Sequence, residues 1–205
     1  MTAPRTLPRV LSARARGAEI SRVASRFTRR ARDGASGRHW YAETRAWAAE
    51  VVGPEGAPLF LRMLAATSPR ASIKGNLRAA VRAYHLAAEG LPTSWGAPYG
   101  VPVNAIAVAA VAEGRAVRGQ KVGPFAAALT GDSDAVAVDV WVARAAGYRD
   151  SPTAREVSIV TDAVRRVARA LLWTAAEVQA AVWISERRGA GRTLSETYAE
   201  AYATL

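Results

Sequence analysis

The chain has 205 residues, half of them apolar, and carries a net charge of +11. That is enough alanine and valine to bury a core, and the charge points to a polyanionic partner, nucleic acid before an anionic membrane. Cysteine is absent and there are two histidines, His39 and His85, which excludes disulfides, iron–sulfur ligation and thiolate zinc and leaves no metal-ligand spacing.

The charge is uneven. Residues 1–38 hold ten arginines against Glu19 and Asp33, or +8, and residues 39–205 carry the remaining +3. The chain therefore reads as a basic N-terminal arm with a first helix, 1–38, followed by a single all-α domain, 39–205. Residues 1–16 read as flexible; Arg5, Arg9, Arg14 and Arg16, with few acids near them, are also compatible with a mitochondrial transit peptide. From Ala18 to Arg32, Ile20, Val23 and Phe27 recur at helical spacing with arginines between them, giving one apolar and one basic face. The run at 34–37, GASG, ends that helix.

Trp40, Thr44, Trp47 and Val51 space the next helix, GPEGAP reads as a turn, and Pro58 suits the first turn of PLFLRMLAATS. Ser68-Pro69-Arg70 interrupts, and Ile73, Leu77, Val81 and Tyr84 mark another helix. Three prolines and two glycines make 91–103 a loop, and NAIAVAAVAEG reads as a short buried helix. AVAVDVWV alternates at period two, a strand signal, but no second run alternates to pair with it, so it is read as helical. Ser151-Pro152-Thr153 opens a long helix. Thr174 with Glu177 forms a capping box for the next, and a final helix is capped at Thr193 or Ser195.

Apolar runs such as Val101 to Ala112 fall short of the roughly 20 apolar residues of a membrane span. The N-terminus lacks the apolar core of a secretory signal. The expectation is a soluble cytoplasmic protein, nucleoid-associated or phage-encoded, with no membrane partner, no metal and no cofactor.

Two lysines, Lys74 and Lys121, stand among arginines, and Lys121 lies eighteen residues before Asp139. Only lysine among the two cations can lose its proton and attack carbon as a neutral amine. Gly119-Gln120-Lys121, then Val138-Asp139-Val140-Trp141 with Arg144 five residues after Asp139, resemble the helix–hairpin–helix (HhH-GPD) DNA glycosylases of the endonuclease III type. In that family a glycine hairpin opens a helix bearing the lysine, and a VDTH-x-x-R segment bears the aspartate. Met63 to Thr67 is similar to the family's LSAQ helix end, with Thr67 in place of glutamine. The hairpin here reads Arg115-Ala116-Val117-Arg118-Gly119, without the first glycine and the proline.

The resemblance implies an all-α glycosylase fold, duplex DNA as partner, and excision of a flipped, damaged or modified base, with or without lyase action on the strand. It assigns Lys121 as the amine nucleophile and Asp139 as the carboxylate that stabilises charge on the sugar or activates the nucleophile. Phosphate contacts fall to Arg70, Arg115, Arg118, Gly119, Gln120 and Arg144, with Arg70 also the wedge into the DNA gap. Thr67, Asn76 and Trp95 are candidates for the base pocket. Alternatives are a non-catalytic DNA-binding protein, a phage-type enzyme acting on hypermodified bases, and a protein-interaction module using Trp-bearing helices. Asp139 also reads as a plain helix N-cap, and Lys121 as a surface residue after Gly119.

Overall fold

A computed structural model describes residues 7–8, 10–191 and 197–205. Among these residues there are nine α-helices and no β-strand: α1 (Ala13–Asp33), α2 (Trp40–Thr67), α3 (Ile73–Ala88), α4 (Pro102–Ala112), α5 (Val122–Leu129), α6 (Val140–Ala146), α7 (Ala154–Leu171), α8 (Ala175–Gly189) and α9 (Tyr198–Tyr202). The chain is all-α. It divides into two compact units, Met1–Trp40 with Ser133–Leu194 and Tyr41–Asp132 with Ser195–Leu205; they are called unit 1 and unit 2.

Unit 1 is built on the arginine-rich helix. The Ser12 hydroxyl caps α1 by accepting from the Ala15 N–H, so the helix begins at Ala13, five residues before the start that its periodicity suggested. Val23, Ala24, Phe27 and Ala31 form its buried face and pack against α6, α7 and α8. Burying a side chain such as Phe27 contributes roughly 1.5–3 kcal/mol. The close approach of α1 and α8 is possible because residue 34 has no side chain: a Cβ there would lie 2.0 Å from the Ala181 carbonyl oxygen. Capping boxes at Thr153/Glu156 and Thr174/Glu177 start α7 and α8.

The expectation of a helix through AVAVDVWV is corrected here. Ala135, Val136, Ala137 and Val138 lie outside any helix or strand and are all buried, and helix begins only at Val140. The alternating valines fit neither class because the segment is covered on both sides without a ladder partner. One backbone tie is the Ala176 N–H donating to the Ser133 carbonyl at 3.0 Å.

In unit 2, α2 runs through a kink at Gly53, whose φ of 77° is the left-handed conformation that glycine accepts without strain. Pro54, rather than Pro58, follows the break. Beyond it Phe60, Leu61, Met63, Leu64 and Ala66 are buried. α4 is apolar almost throughout but buried on one face only: Asn104, Val108, Ala110 and Val111 are buried, while Val103 and Ile106 are exposed. α9 packs on α3, with Tyr198 stacked on Trp47 at 6.1 Å. Thr197 caps it in a third capping box with Glu200; the expected caps Thr193 and Ser195 lie outside the described residues, as do Arg5 and Arg9.

Candidate functional site

Unit 2 places Lys121 at the start of α5, half-buried. Its Nζ donates to the Ser68 hydroxyl at 3.3 Å and sits 5.8 Å from the centre of the Phe125 ring. Ser68 is itself buried and ends the helix that carries Thr67. Thr67 donates to the Met63 carbonyl at 2.8 Å and lies 2.6 Å from Asn76 Oδ1, while Asn76 Nδ2 donates to the Tyr198 hydroxyl. Burial holds that phenol above its ordinary ionisation range, against the lowering effect of Asn76. Both Thr67 and Asn76 are buried, and their polar atoms are spent inside this network. Asn104 closes it from α4, its Nδ2 donating to the Tyr99 carbonyl at 2.7 Å and reaching the Thr67 and Pro69 carbonyls at 3.4 Å.

Around this buried network the other candidates of unit 2 are exposed. Gly119 has φ 120°, and a Cβ there would meet open space, so backbone conformation alone calls for glycine. Gln120 and Arg118 follow and precede it on the surface. Arg115 is also exposed but is ion-paired with Glu113 at 2.5 Å. Arg70 occupies a left-handed turn, φ 57°, uncommon for a residue with a side chain. Trp95 is 70% exposed on a 3₁₀ turn.

Unit 1 holds Asp139. Its Oδ1 accepts from the N–H groups of Trp141 and Val142, both at 3.0 Å, which caps α6, and its Oδ2 accepts from the Trp183 indole N–H at 2.9 Å. Trp183 in turn packs against Trp40 and lies under the Arg187 guanidinium at 4.4 Å. Arg144, exposed, grips Asp150 through two hydrogen bonds at 2.7 and 2.5 Å. That pairing holds the Asp150 carboxyl below its ordinary value.

One family model matches residues 9–190. The chain belongs to the family of unknown function DUF7178. The match runs from before α1 to one residue past the end of α8 and takes in both Lys121 and Asp139. No curated protein and no solved structure matches the chain.

Among the described residues of this family member no group of histidines and acids is arranged to hold a metal, and no helix is long and apolar enough to cross a membrane. The charge is concentrated in unit 1, which has nineteen arginines against nine acids, or +10. Unit 2 has nine basic residues against eight acids, or +1. Three neighbours of the candidate residues are not signalled by the sequence: Ser68, Asn104 and Trp183. Ser68 and Trp183 lie 53 and 44 residues from the groups they bind, and no local spacing announces either contact.

Proposed function

We propose that the chain is a DNA-binding, base-processing enzyme, a glycosylase of helix–hairpin–helix type that releases a flipped base and nicks the strand through Lys121. The observation that carries the reading is the setting of Lys121, a half-buried amine directly after the exposed turn at Gly119, held by Ser68 and Phe125. A tethered lysine presents its nitrogen at a fixed place, as nucleophilic attack requires.

Cleavage of the bond between the base and C1′ sends the bonding electrons out with the base and leaves positive charge on the sugar. The resemblance gives the stationary counter-charge to Asp139, whose carboxylate the Trp141, Val142 and Trp183 N–H groups hold in unit 1. The Lys121 amine, unprotonated when it attacks, adds at C1′ to give a Schiff base, and β-elimination then breaks the backbone on the 3′ side. Arg70 and Arg118, exposed and without an ion-pair partner among the described residues, are the phosphate contacts of this reading in unit 2. Lys121 and Asp139 belong to different units, and their roles are tested separately.

The test is a panel of duplex oligonucleotides carrying damaged and hypermodified bases. The reading expects one class of base to be released, and Asp139→Asn to abolish that release. No release from any member of the panel would refute it. A second reading, a DNA-binding protein without catalysis, is favoured by the capping of α6 by Asp139, a role that needs no chemistry.

A further inference from the structure

The basic face of α1 carries Arg22, Arg26 and Arg30 one helical turn apart. Unit 1 matches its half-buried arginines to partners with some care. Arg16 binds Asp162 and Ser158, Arg22 binds Glu19 and the Ala146 carbonyl, Arg30 binds Glu186, and Arg38 binds Glu177. Arg187 covers the Trp183 ring. Arg26 is the exception: it is half-buried yet has no hydrogen bond or ion pair among the described residues.

Its surroundings explain both its position and its discomfort. The guanidinium rests on Gly147, at the C-terminal end of α6, where a Cβ would come within 2.8 Å of Arg26 Nη1. Glycine at 147 therefore satisfies a left-handed φ of 87° and also makes room for the cation. Burial and the neighbouring charges of Arg22, Arg30 and Arg29 hold the Arg26 pKa below its ordinary value, and the opposing charge is Glu186, already bound by Arg30. The carbonyl end of α6 offers only a partial negative charge. A half-buried cation without a counter-ion is costly to keep. An oxyanion bridging the row would relieve that cost, and a guanidinium fork fits a phosphate bidentately.

We propose that Arg26, flanked by Arg22 and Arg30 and seated on Gly147, anchors an oxyanion site on unit 1 whose ligand is a backbone phosphodiester of duplex DNA. The proposal rests on the DNA-binding half of the reading above and not on base excision.

The experiment compares the full chain with its Arg26→Gln and Arg26→Lys variants, titrating an undamaged duplex at several salt concentrations. Losing one phosphate contact should make the slope of log K against log salt shallower by about 0.9. Arg26→Gln is expected to show that change, with a melting temperature in DNA-free, phosphate-free buffer no lower than that of the unaltered chain. Arg26→Lys should keep the slope and bind severalfold more weakly, having lost the fork. It also serves as the readout if the glutamine variant does not fold, and unaltered affinity in the lysine variant would then refute the anchor. Unaltered affinity and slope in Arg26→Gln would likewise refute the proposal. If inorganic phosphate raises the melting temperature of the unaltered chain but not of Arg26→Gln while the duplex slopes coincide, the ligand is free phosphate and the DNA assignment falls. Failure to release any base would leave these binding results standing and remove only the catalytic reading.

Discussion

Unit 1 and unit 2 are both helical, but they reach stability by different means. Unit 1 packs an arginine-rich helix into its core and meets its half-buried cations one by one with acids, carbonyls or rings, Arg26 excepted. Unit 2 is nearly neutral and is held by buried amides and aromatics: Thr67, Asn76 and Asn104 tie three helices, and Trp47 stacks on Tyr198. The contrast separates structural charge from surplus charge. Cations that pair within unit 1 support the fold, and those left over are the ones that the proposed DNA contact would use.

The comparison can be broken at several points. The largest effect is expected for Gly34→Ala, whose methyl would meet the Ala181 backbone and force α1 from α8, costing about 3 kcal/mol. A urea midpoint equal to that of the unaltered chain would show that unit 1 does not depend on this contact. In unit 2, Asn104→Ala leaves the Tyr99 carbonyl and its neighbours without their donor, and urea titration should read a loss of about 2 kcal/mol. Next comes Asp139. Its alanine variant should lose about 1–2 kcal/mol with the cap of α6, while Asp139→Asn retains an acceptor oxygen and should lose less. Comparing the two by thermal melting separates the cap from the charge.

The smallest effect is electrostatic. Burial pushes the Glu177 carboxyl up, but the Thr174 N–H, Arg38 and His39 together bring it below its ordinary 4.5. A lowered carboxyl pKa means that the charged form is favoured by folding, so its contribution is complete above about pH 4.5 and fades as pH falls through the lower folded value. Arg38→Gln should therefore melt earlier than the unaltered chain at neutral pH, by about 1 kcal/mol or less. That gap should narrow on acidification; a gap that widens would contradict the assignment.

Much of unit 1 could be read from its residues. The spacing of Val23 and Phe27 marked the buried stripe of α1, and Thr174 with Glu177 marked the start of α8, because caps and periodicity are local physics. The run before Asp139 is not legible as helix or strand because it is neither. Its buried valines adopt neither, and Asp139, readable as an N-cap, marks where helix begins. The reading of α4 erred in the opposite way. An apolar run implied burial throughout, yet Val103 and Ile106 are exposed. The inward face carries the polar Asn104 beside Val108, Ala110 and Val111 because Asn104 meets the Tyr99, Thr67 and Pro69 carbonyls there. Contacts such as Lys121 with Ser68 depend on tertiary placement, and no pattern in one chain encodes them.

The central claim concerns a single nitrogen. Incubation of the full chain with a duplex bearing its preferred base, or an abasic site, in the presence of borohydride should yield a covalent protein–DNA adduct. Lys121→Arg and Lys121→Ala should both abolish it, although the arginine variant keeps the charge. An adduct that persists in either variant, or none formed by the unaltered chain on any duplex, would contradict the account.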